Sequence, residues 1–589
     1  MTTPAYSPAS WPGILWRTIE RLRQREDQLA LVLSLVIGAV VGLVVVAFIL
    51  LTGRLAAHIY PAGSAGWRRI AAPTLGALIT GWFLFRHFPG ARGSGIPQTK
   101  SALVIEDGFI SMRTVVAKFF LCCGSLASGI ALGREGPSVH VGAGISSVIG
   151  RRLGLSREQV RWLLPVGTSA ALAAAFNTPI AAVLFSLEEI IGDMHAPVLG
   201  SVVISSATSW MVLHLVLGDE PLFHVASYHL VNPSEFGVYA VLGVVGGLGS
   251  VAFVKLLLGL RRYFLGWPRR TSWWQPAIGG LTVGIMGYFI PQVLGVGYDE
   301  VGRVLNGDVI LKTVLLLAVL KIVATAVCYA SGNAGGIFGP ALFIGAMIGA
   351  SVGSVAQMAF PGHTAGAGAY ALVGMGTAFA GIVRTPLTSV IMIFELTRDY
   401  TIIVPLMISN LIAFFISQRF QPVPVYEALA RQDGVHLPTA ESRADAGVTV
   451  RAIMRPAPAS LPDTTTLAEA LERMRQAGTD DWPVTGKRGF RAMVGPDAVA
   501  RALETAAPDT PLATIVTDAA NDQDPDASRH VHPDEPIGTA LTRMGSAGVT
   551  VLPVVSRKNV RQLLGVVTLH DVLSGFGLEG LGGEDWQGG

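Results

Sequence analysis

Formal charge is the scarcest property of this 589-residue chain: Asp, Glu, Lys and Arg make up 14% of it, against about 25% in an ordinary soluble domain. Its 51% apolar content excludes a disordered chain. With 43 basic and 40 acidic residues the net charge is only +3, which does not suggest a nucleic-acid partner. Cysteine is nearly absent. Cys122, Cys123 and Cys328 lie in apolar runs without ligand-like spacing, which excludes a disulfide framework and a structural zinc site. Neither a HExxH zinc motif nor a GxSxG nucleophile turn occurs, so an enzyme is the least supported class and no metal is expected. A membrane protein leads.

The charge deficit is uneven. From Val435 to the end there are 20 acidic and 14 basic residues in 155, roughly 22%, close to the soluble norm. The first 434 residues carry 29 basic and 20 acidic ones, roughly 11%. A membrane region followed by a mildly acidic soluble one is the simplest division. Leu29 to Gly53, Trp162 to Leu187, Met194 to Gly218 and Thr271 to Tyr298 each lack formal charge over the roughly 20 residues a membrane span requires. The segment from Ile322 to Val383 runs 62 residues without charge and is cut by Gly332, Gly335, Gly336, Gly339, Pro340 and Pro361. It reads as several short helices buried in protein, because unpaired backbone cannot face lipid. Broken helices are where transporters place their sites.

Arg17, Arg21, Arg23 and Arg25 precede the first apolar run, which is too long for a cleavable signal core. The positive-inside rule puts residues 1–27 in the cytoplasm. Trp11, Ile14, Leu15 and Leu22 could form an apolar helix face lying on the membrane.

Three of the 69 glycines' clusters carry chemistry: Gly93-Ser94-Gly95-Ile96-Pro97, Gly133-Arg134-Glu135-Gly136-Pro137 and Gly335-Gly336-Ile337-Phe338-Gly339-Pro340. In each, glycines precede a proline suited to a helix's first turn. A helix start presents unpaired N–H groups and the positive end of the dipole, which attract anions. Three such ends converging would hold an anion by partial charges alone, weakly enough for conduction. Glu135, set among glycines in an apolar run, is a functional candidate on its own. Neighbours in a helix do not face each other, which argues against its being paired off with Arg134.

These motifs, in order and at similar separations, resemble the signatures of the CLC family of chloride channels and transporters, and Pro424-Val425-Tyr426 matches the family's pore tyrosine. The resemblance covers roughly residues 28–435. It implies an all-α polytopic membrane domain of inverted repeats with broken helices, a homodimer in the lipid bilayer, and one pore per subunit. By the same resemblance chloride lies between the hydroxyls of Ser94 and Tyr426 and the N–H groups of Ile337 and Phe338, with Gly93, Gly95, Arg134, Gly136 and Gly336 supplying helix-end backbone. Glu135 matches the gating glutamate and outer proton acceptor. Its carboxylate competes with chloride, and protonation removes that competition; burial makes protonation accessible near neutral pH. Glu189 matches the inner proton acceptor that exchangers carry and channels usually lack, which favours chloride/proton antiport over a passive voltage- or pH-gated chloride channel. Gln98-Thr99-Lys100 departs from the acidic residues of several exchangers, and Lys100 could alter the field at the cytoplasmic mouth. Ser94 favours chloride, since proline there marks nitrate-preferring relatives, and the intact motifs argue against the fluoride-specific branch. A bacterial inner membrane is the expected location.

The tail repeats itself. Units 447–508 and 509–576, after a linker at 436–446 and before a flexible tail at 577–589, each alternate apolar-faced helices with Val-rich strands, an α/β pattern. The pairs Thr449–Met454 and Leu512–Val516, Leu467–Leu471 and Ile537–Leu541, and Trp482–Val484 and Leu552–Val555 mark the plan, and Asp518 to Asp526 reads as a solvated loop. This resembles a tandem CBS pair with cytoplasmic placement. Thr568 and Asp571 match a ribose-binding turn for an adenine nucleotide, while Gly495 and Ala498 replace them in the first unit; at most one half-site is visible. Transport itself is expected to need no cofactor.

Overall fold

The computed structural model describes residues 26–435 and 448–576, apart from 62, 64, 195, 220–221, 224–230, 309, 399, 458, 478–480, 488, 517–529 and 557–558. The amphipathic face expected near Trp11, the 436–446 linker, the acidic 518–526 stretch and the 577–589 tail lie outside or almost wholly outside the described residues. The chain divides into two compact units between Leu437 and Pro438.

The first unit is helical and consists of one plan used twice. Its first half runs α1 (Glu26–Ile59), α2 (Arg68–Arg86), α3 (Ile96–Val104), α4 (Met112–Ala127), α5 (Glu135–Arg152), α6 (Arg157–Phe176), α7 (Pro179–Phe185) and α8 (Leu199–Leu217). The second runs α9 (Glu235–Leu265), α10 (Gln275–Phe289), α11 (Tyr298–Leu305), α12 (Leu311–Ala330), α13 (Phe338–Ala359), α14 (Ala367–Val383), α15 (Pro386–Thr397) and α16 (Ile403–Phe420), and α17 (Val425–Gln432) follows. Packing repeats with the order: α1 lies on α8 as α9 lies on α16, and α5 on α6 as α13 on α14. Short 3₁₀ turns, Pro89–Ala91 and Pro291–Val293, precede α3 and α11.

Glycine sets the closest of these crossings. A Cβ on Gly142 would stand 2.3 Å from the Gly167 carbonyl oxygen, and one on Gly345 would stand 2.2 Å from that of Gly374. Any side chain would force the α5–α6 or α13–α14 pair apart.

Two uncharged runs do not form the single spans their length suggests. Trp162 to Leu187 is broken where Asn177 takes a left-handed conformation, φ 61°, before Thr178-Pro179. Arg384 does the same before Thr385-Pro386, φ 71°. Thr271 to Tyr298 yields α10, 15 residues long and so about 22 Å at 1.5 Å per residue. Lack of charge marks burial from water, and both segments are partly buried in protein. The 62-residue run forms the end of α12, all of α13 and all of α14, where every α14 residue is buried. Among the described residues six stretches are long and apolar enough to cross a membrane, and the unit is an integral, multi-pass membrane domain.

The second unit has two three-stranded sheets. One orders β2 (Leu461–Pro462), β3 (Trp482–Gly486) and β4 (Gly489–Val494), with α19 (Leu467–Ala477) and α20 (Pro496–Leu503). The other orders β1 (Arg455–Pro456), β6 (Asn559–Thr568) and β5 (Val551–Ser556), with α18 (Val450–Ile453), α21 (Ile537–Ala547) and α22 (Leu569–Gly575). The opening segments are exchanged. Val450 packs with Val531, Leu552 and Val567, whereas Leu512 and Val516 pack with Leu461 and Leu467. The sequence reading gave the order of the segments and not their packing, because an apolar pattern says that a residue is buried and not against what.

Candidate functional site

All three glycine motifs start helices, and they meet. In the first, Gly93 and Gly95 take positive φ, 68° and 101°, so the loop turns sharply into α3 with Pro97 in its first turn. Lys118, fully buried on α4, donates to the carbonyls of Ala91, Arg92 and Gly93 at 3.0, 3.0 and 2.7 Å. The second and third motifs join through a two-bond bridge, Gly133 N–H to the Gly336 carbonyl at 2.7 Å and the reverse at 2.8 Å. Gly136 closes the group: a Cβ there would stand 2.5 Å from Ser94 Oγ, and one on Gly336 would stand 3.2 Å from the Gly136 nitrogen.

Ser94 and Tyr426 are completely buried, and among the described residues neither hydroxyl has a hydrogen-bond partner. Burying an unpaired hydroxyl is costly, and a hydroxyl can donate to an anion without adding formal charge. Ile337 and Phe338 stand at the N-cap and first residue of α13, where α-helical N–H groups have no partner within the helix. The Phe338 ring packs on Phe379, Phe176 and Phe185 with centroids 4.3, 4.7 and 5.6 Å away. A cavity of about 270 Å³ opens beside the first motif, lined by Arg92, Gly93, Pro97, Gln98 and Tyr329 among others.

Glu135 begins α5 and is completely buried. Its carboxylate accepts the Gly339 N–H of α13 at 3.2 Å and the Tyr298 hydroxyl of α11 at 2.5 Å. Arg134 Nε stands 3.9 Å from the same carboxylate, a contact that helical spacing argued against. Arg134 is the N-cap of α5 and so lies outside the helix proper, where the spacing rule for helical neighbours does not apply. The carboxylate therefore rests on the N-terminus of the opposite half's helix, in a place suited to an anion.

The adjacent glutamates Glu188 and Glu189 separate cleanly. Glu188 caps α15, accepting the N–H groups of Leu387 and Thr388 at 3.3 and 2.8 Å and the Thr388 hydroxyl at 2.7 Å. Glu395 caps α7 in return, accepting the N–H groups of Ile180 and Ala181 at 2.9 and 2.7 Å. Glu189 takes no part in this exchange. It lies buried on the π-helical turn Ser186–Ile191 and receives the Lys100 ammonium at 2.8 Å. Lys100 also stands 3.8 Å from Glu427, the neighbour of Tyr426. The cation that seemed to belong to the cytoplasmic mouth is buried instead, tying the first motif's helix to Glu189 and α17.

Lys118, Lys321 and Tyr298 escaped the sequence reading. Lys321 donates to the carbonyls of Val293 and Gly295 at 3.0 and 2.6 Å, as Lys118 does to the matching loop. A signal was present: Lys118 precedes Glu135, and Lys321 precedes Phe338, by the same 17 residues.

In the second unit Thr568 caps α22, accepting the Asp571 N–H at 3.1 Å and donating to its carboxylate at 2.8 Å. Arg455 grips the same carboxylate at 2.8 and 2.5 Å. Gly495 caps α20 with nearly the same backbone angles and no side chain to offer.

The sequence model of the family described as "voltage gated chloride channel" matches residues 75–418, and that of the CBS domain matches 450–505 and 528–577. The chain is 33% identical to a putative chloride channel protein ClcB-like of Ralstonia nicotianae, over 64% of this chain and 89% of that one. It is 33% identical to the H(+)/Cl(-) exchange transporter ClcA of Vibrio cholerae serotype O1, over 59% of this chain and 76% of that one. Among solved structures, a slow cyanobacterial Cl-/H+ antiporter superposes with a TM-score of 0.63 at 25% identity, covering 69% of this chain and 97% of that one.

Proposed function

This chain belongs to the voltage-gated chloride channel family, and from that premise we propose that it exchanges chloride for protons across a bacterial inner membrane. It works as a homodimer with one pore per subunit, and its N-terminus and CBS pair face the cytoplasm.

The observation that carries this reading is the Glu135 carboxylate on the Gly339 N–H. While ionised it fills an anion site and blocks the path. Protonation removes its charge and lets chloride replace it, held by helix ends and by the hydroxyls of Ser94 and Tyr426. The proton that frees the path is the one that crosses, so the two ions move in exchange. Glu189 is the inner acceptor and reaches the cytoplasmic side through its turn at Ser186–Ile191. The exchange assay on Glu189→Gln tests this role: chloride should still pass and proton movement should stop. Coupled proton movement at the wild-type rate would remove Glu189 from the route.

One observation favours a second reading, a passive chloride channel gated by Glu135. Lys100 sits on Glu189 at 2.8 Å, so the carboxylate's charge is already compensated without a proton. Lys100→Met separates the two, since in the channel reading it leaves the anion selectivity and the absence of proton coupling unchanged.

The CBS pair is proposed as a regulatory module. An adenine nucleotide at Thr568 and Asp571 must compete with Arg455 for the carboxylate. Calorimetry with ATP, ADP and AMP on the full chain tests this, and no heat with all three assigns the pair a structural role.

A further inference from the structure

Glu135 is held from a direction the family motifs do not include. Tyr298 is the first residue of α11, and its loop Gly295-Val296-Gly297-Tyr298 is the second half's counterpart of Gly93-Ser94-Gly95-Ile96. The glycines match in conformation, with φ of 62° and 88° against 68° and 101°. The side chains do not match: the first half has its hydroxyl at Ser94, the second at Tyr298. The Tyr298 ring is set by Phe223 edge-on at 5.6 Å and by the Arg134 guanidinium at 5.7 Å from its centroid. Gly339 makes room for the pair, since a Cβ there would come within 3.0 Å of the Tyr298 hydroxyl and 3.1 Å of Glu135 Oε2.

We infer that Tyr298 is a positioning residue that holds the ionised Glu135 carboxylate in the anion path, and so sets how often the path opens. A hydroxyl donating to a carboxylate stabilises the charged, blocking form and has nothing comparable to offer once that form is gone. Bonds of this class favour the held state by about tenfold or more. The charged and titratable groups facing the carboxylate are Arg134, Tyr298 and, from α17, Tyr426. Of these, Tyr298 alone makes a close side-chain hydrogen bond to it. The inference rests on the preceding reading only in that Glu135 is the blocking group.

The test measures chloride flux from liposomes containing the full chain. In Tyr298→Phe, turnover at neutral pH should rise about tenfold, and the acid-activated flux profile should move toward higher pH, because losing a donor to the ionised form favours the protonated one. In a Glu135→Gln background the same substitution should change nothing. 3-Fluorotyrosine at position 298, a stronger donor, should slow the wild-type flux, and this arm stands if the phenylalanine variant does not fold. An unchanged flux in both single variants, or an equal change with and without Glu135, would overturn the assignment. If the protein moves chloride without protons the exchange reading falls, while the dependence of the Tyr298 effect on Glu135 is still measured.

Discussion

The two halves of the membrane unit share a helix order, a pair of glycine crossings, a buried lysine under each motif loop and a glutamate that caps the other half's helix. They differ at a few positions. Ser94 faces Val296 in the matched plan, Ile96 faces Tyr298, Lys100 faces Gly302, Glu135 faces Phe338, and Glu189 faces Leu396. What both halves keep builds the scaffold. What only one half has is polar where the other is apolar or small, and these residues surround the meeting point of the motifs. The comparison therefore sorts Glu188, the chain neighbour of Glu189, into the scaffold, and it leaves Glu189 among the residues that need a functional explanation.

The largest effect expected from breaking this comparison is at Glu135. Glu135→Gln should abolish proton transport and keep chloride flux, whereas Phe338→Ala, at the matching position, should change chloride flux and leave the proton-to-chloride ratio intact. Paired flux measurements check both; a change of ratio in the phenylalanine variant would break the sorting.

The shared lysines come next. Lys118→Met takes the ammonium donor from three carbonyls and Lys321→Met from two, buried or part-buried, at up to about 1–3 kcal/mol for each group. Both variants should lower the unfolding temperature in detergent, Lys118 the more. Equal stability to wild type in either would remove that lysine from the scaffold.

Glycine crossings should respond less and alike. Gly142→Ala and Gly345→Ala overpack the same kind of contact and should each cost about 1–3 kcal/mol, read from the same unfolding curves. A large difference between them would show that the halves are not mechanically equivalent.

The smallest effect lies outside the membrane. Burial pushes the Asp571 carboxyl up, but Arg455 and Thr568 outweigh it and leave it below its ordinary value of 3.8. A carboxyl lowered by folding stabilises the fold above its unfolded value and loses that contribution as pH falls through the folded one. Asp571→Asn should therefore speed hydrogen exchange in α22 at neutral pH, and the difference from wild type should vanish in acid. A difference that persists once pH is below the lowered folded value would show that packing rather than charge is responsible.

Much of this organisation was legible in the residues. The glycine-proline motifs announced helix starts because proline and glycine restrict backbone conformation locally, and the 62-residue uncharged run announced buried broken helices. Contacts between residues far apart in the chain were not legible. Lys100 on Glu189, Tyr298 on Glu135 and the two glutamate caps join residues 89 to 215 positions apart in the chain, which no local pattern records. The same limit hid the packing of Val450 and Leu512 in the tail, where each opening segment fills the other repeat's core. Repetition was the usable clue, since the equal spacing of Lys118 and Lys321 from their motifs is visible in the sequence alone.

The central claim is that one half's acid, resting on the other half's helix end, makes chloride and protons exchange. Liposomes containing the wild-type chain, loaded with high chloride and diluted into low chloride with no initial pH difference, test it most directly. The account predicts protons pumped inward, against the gradient they build, as chloride leaves, and no pumping with Glu135→Gln. Chloride efflux from the wild type with no proton movement would contradict it.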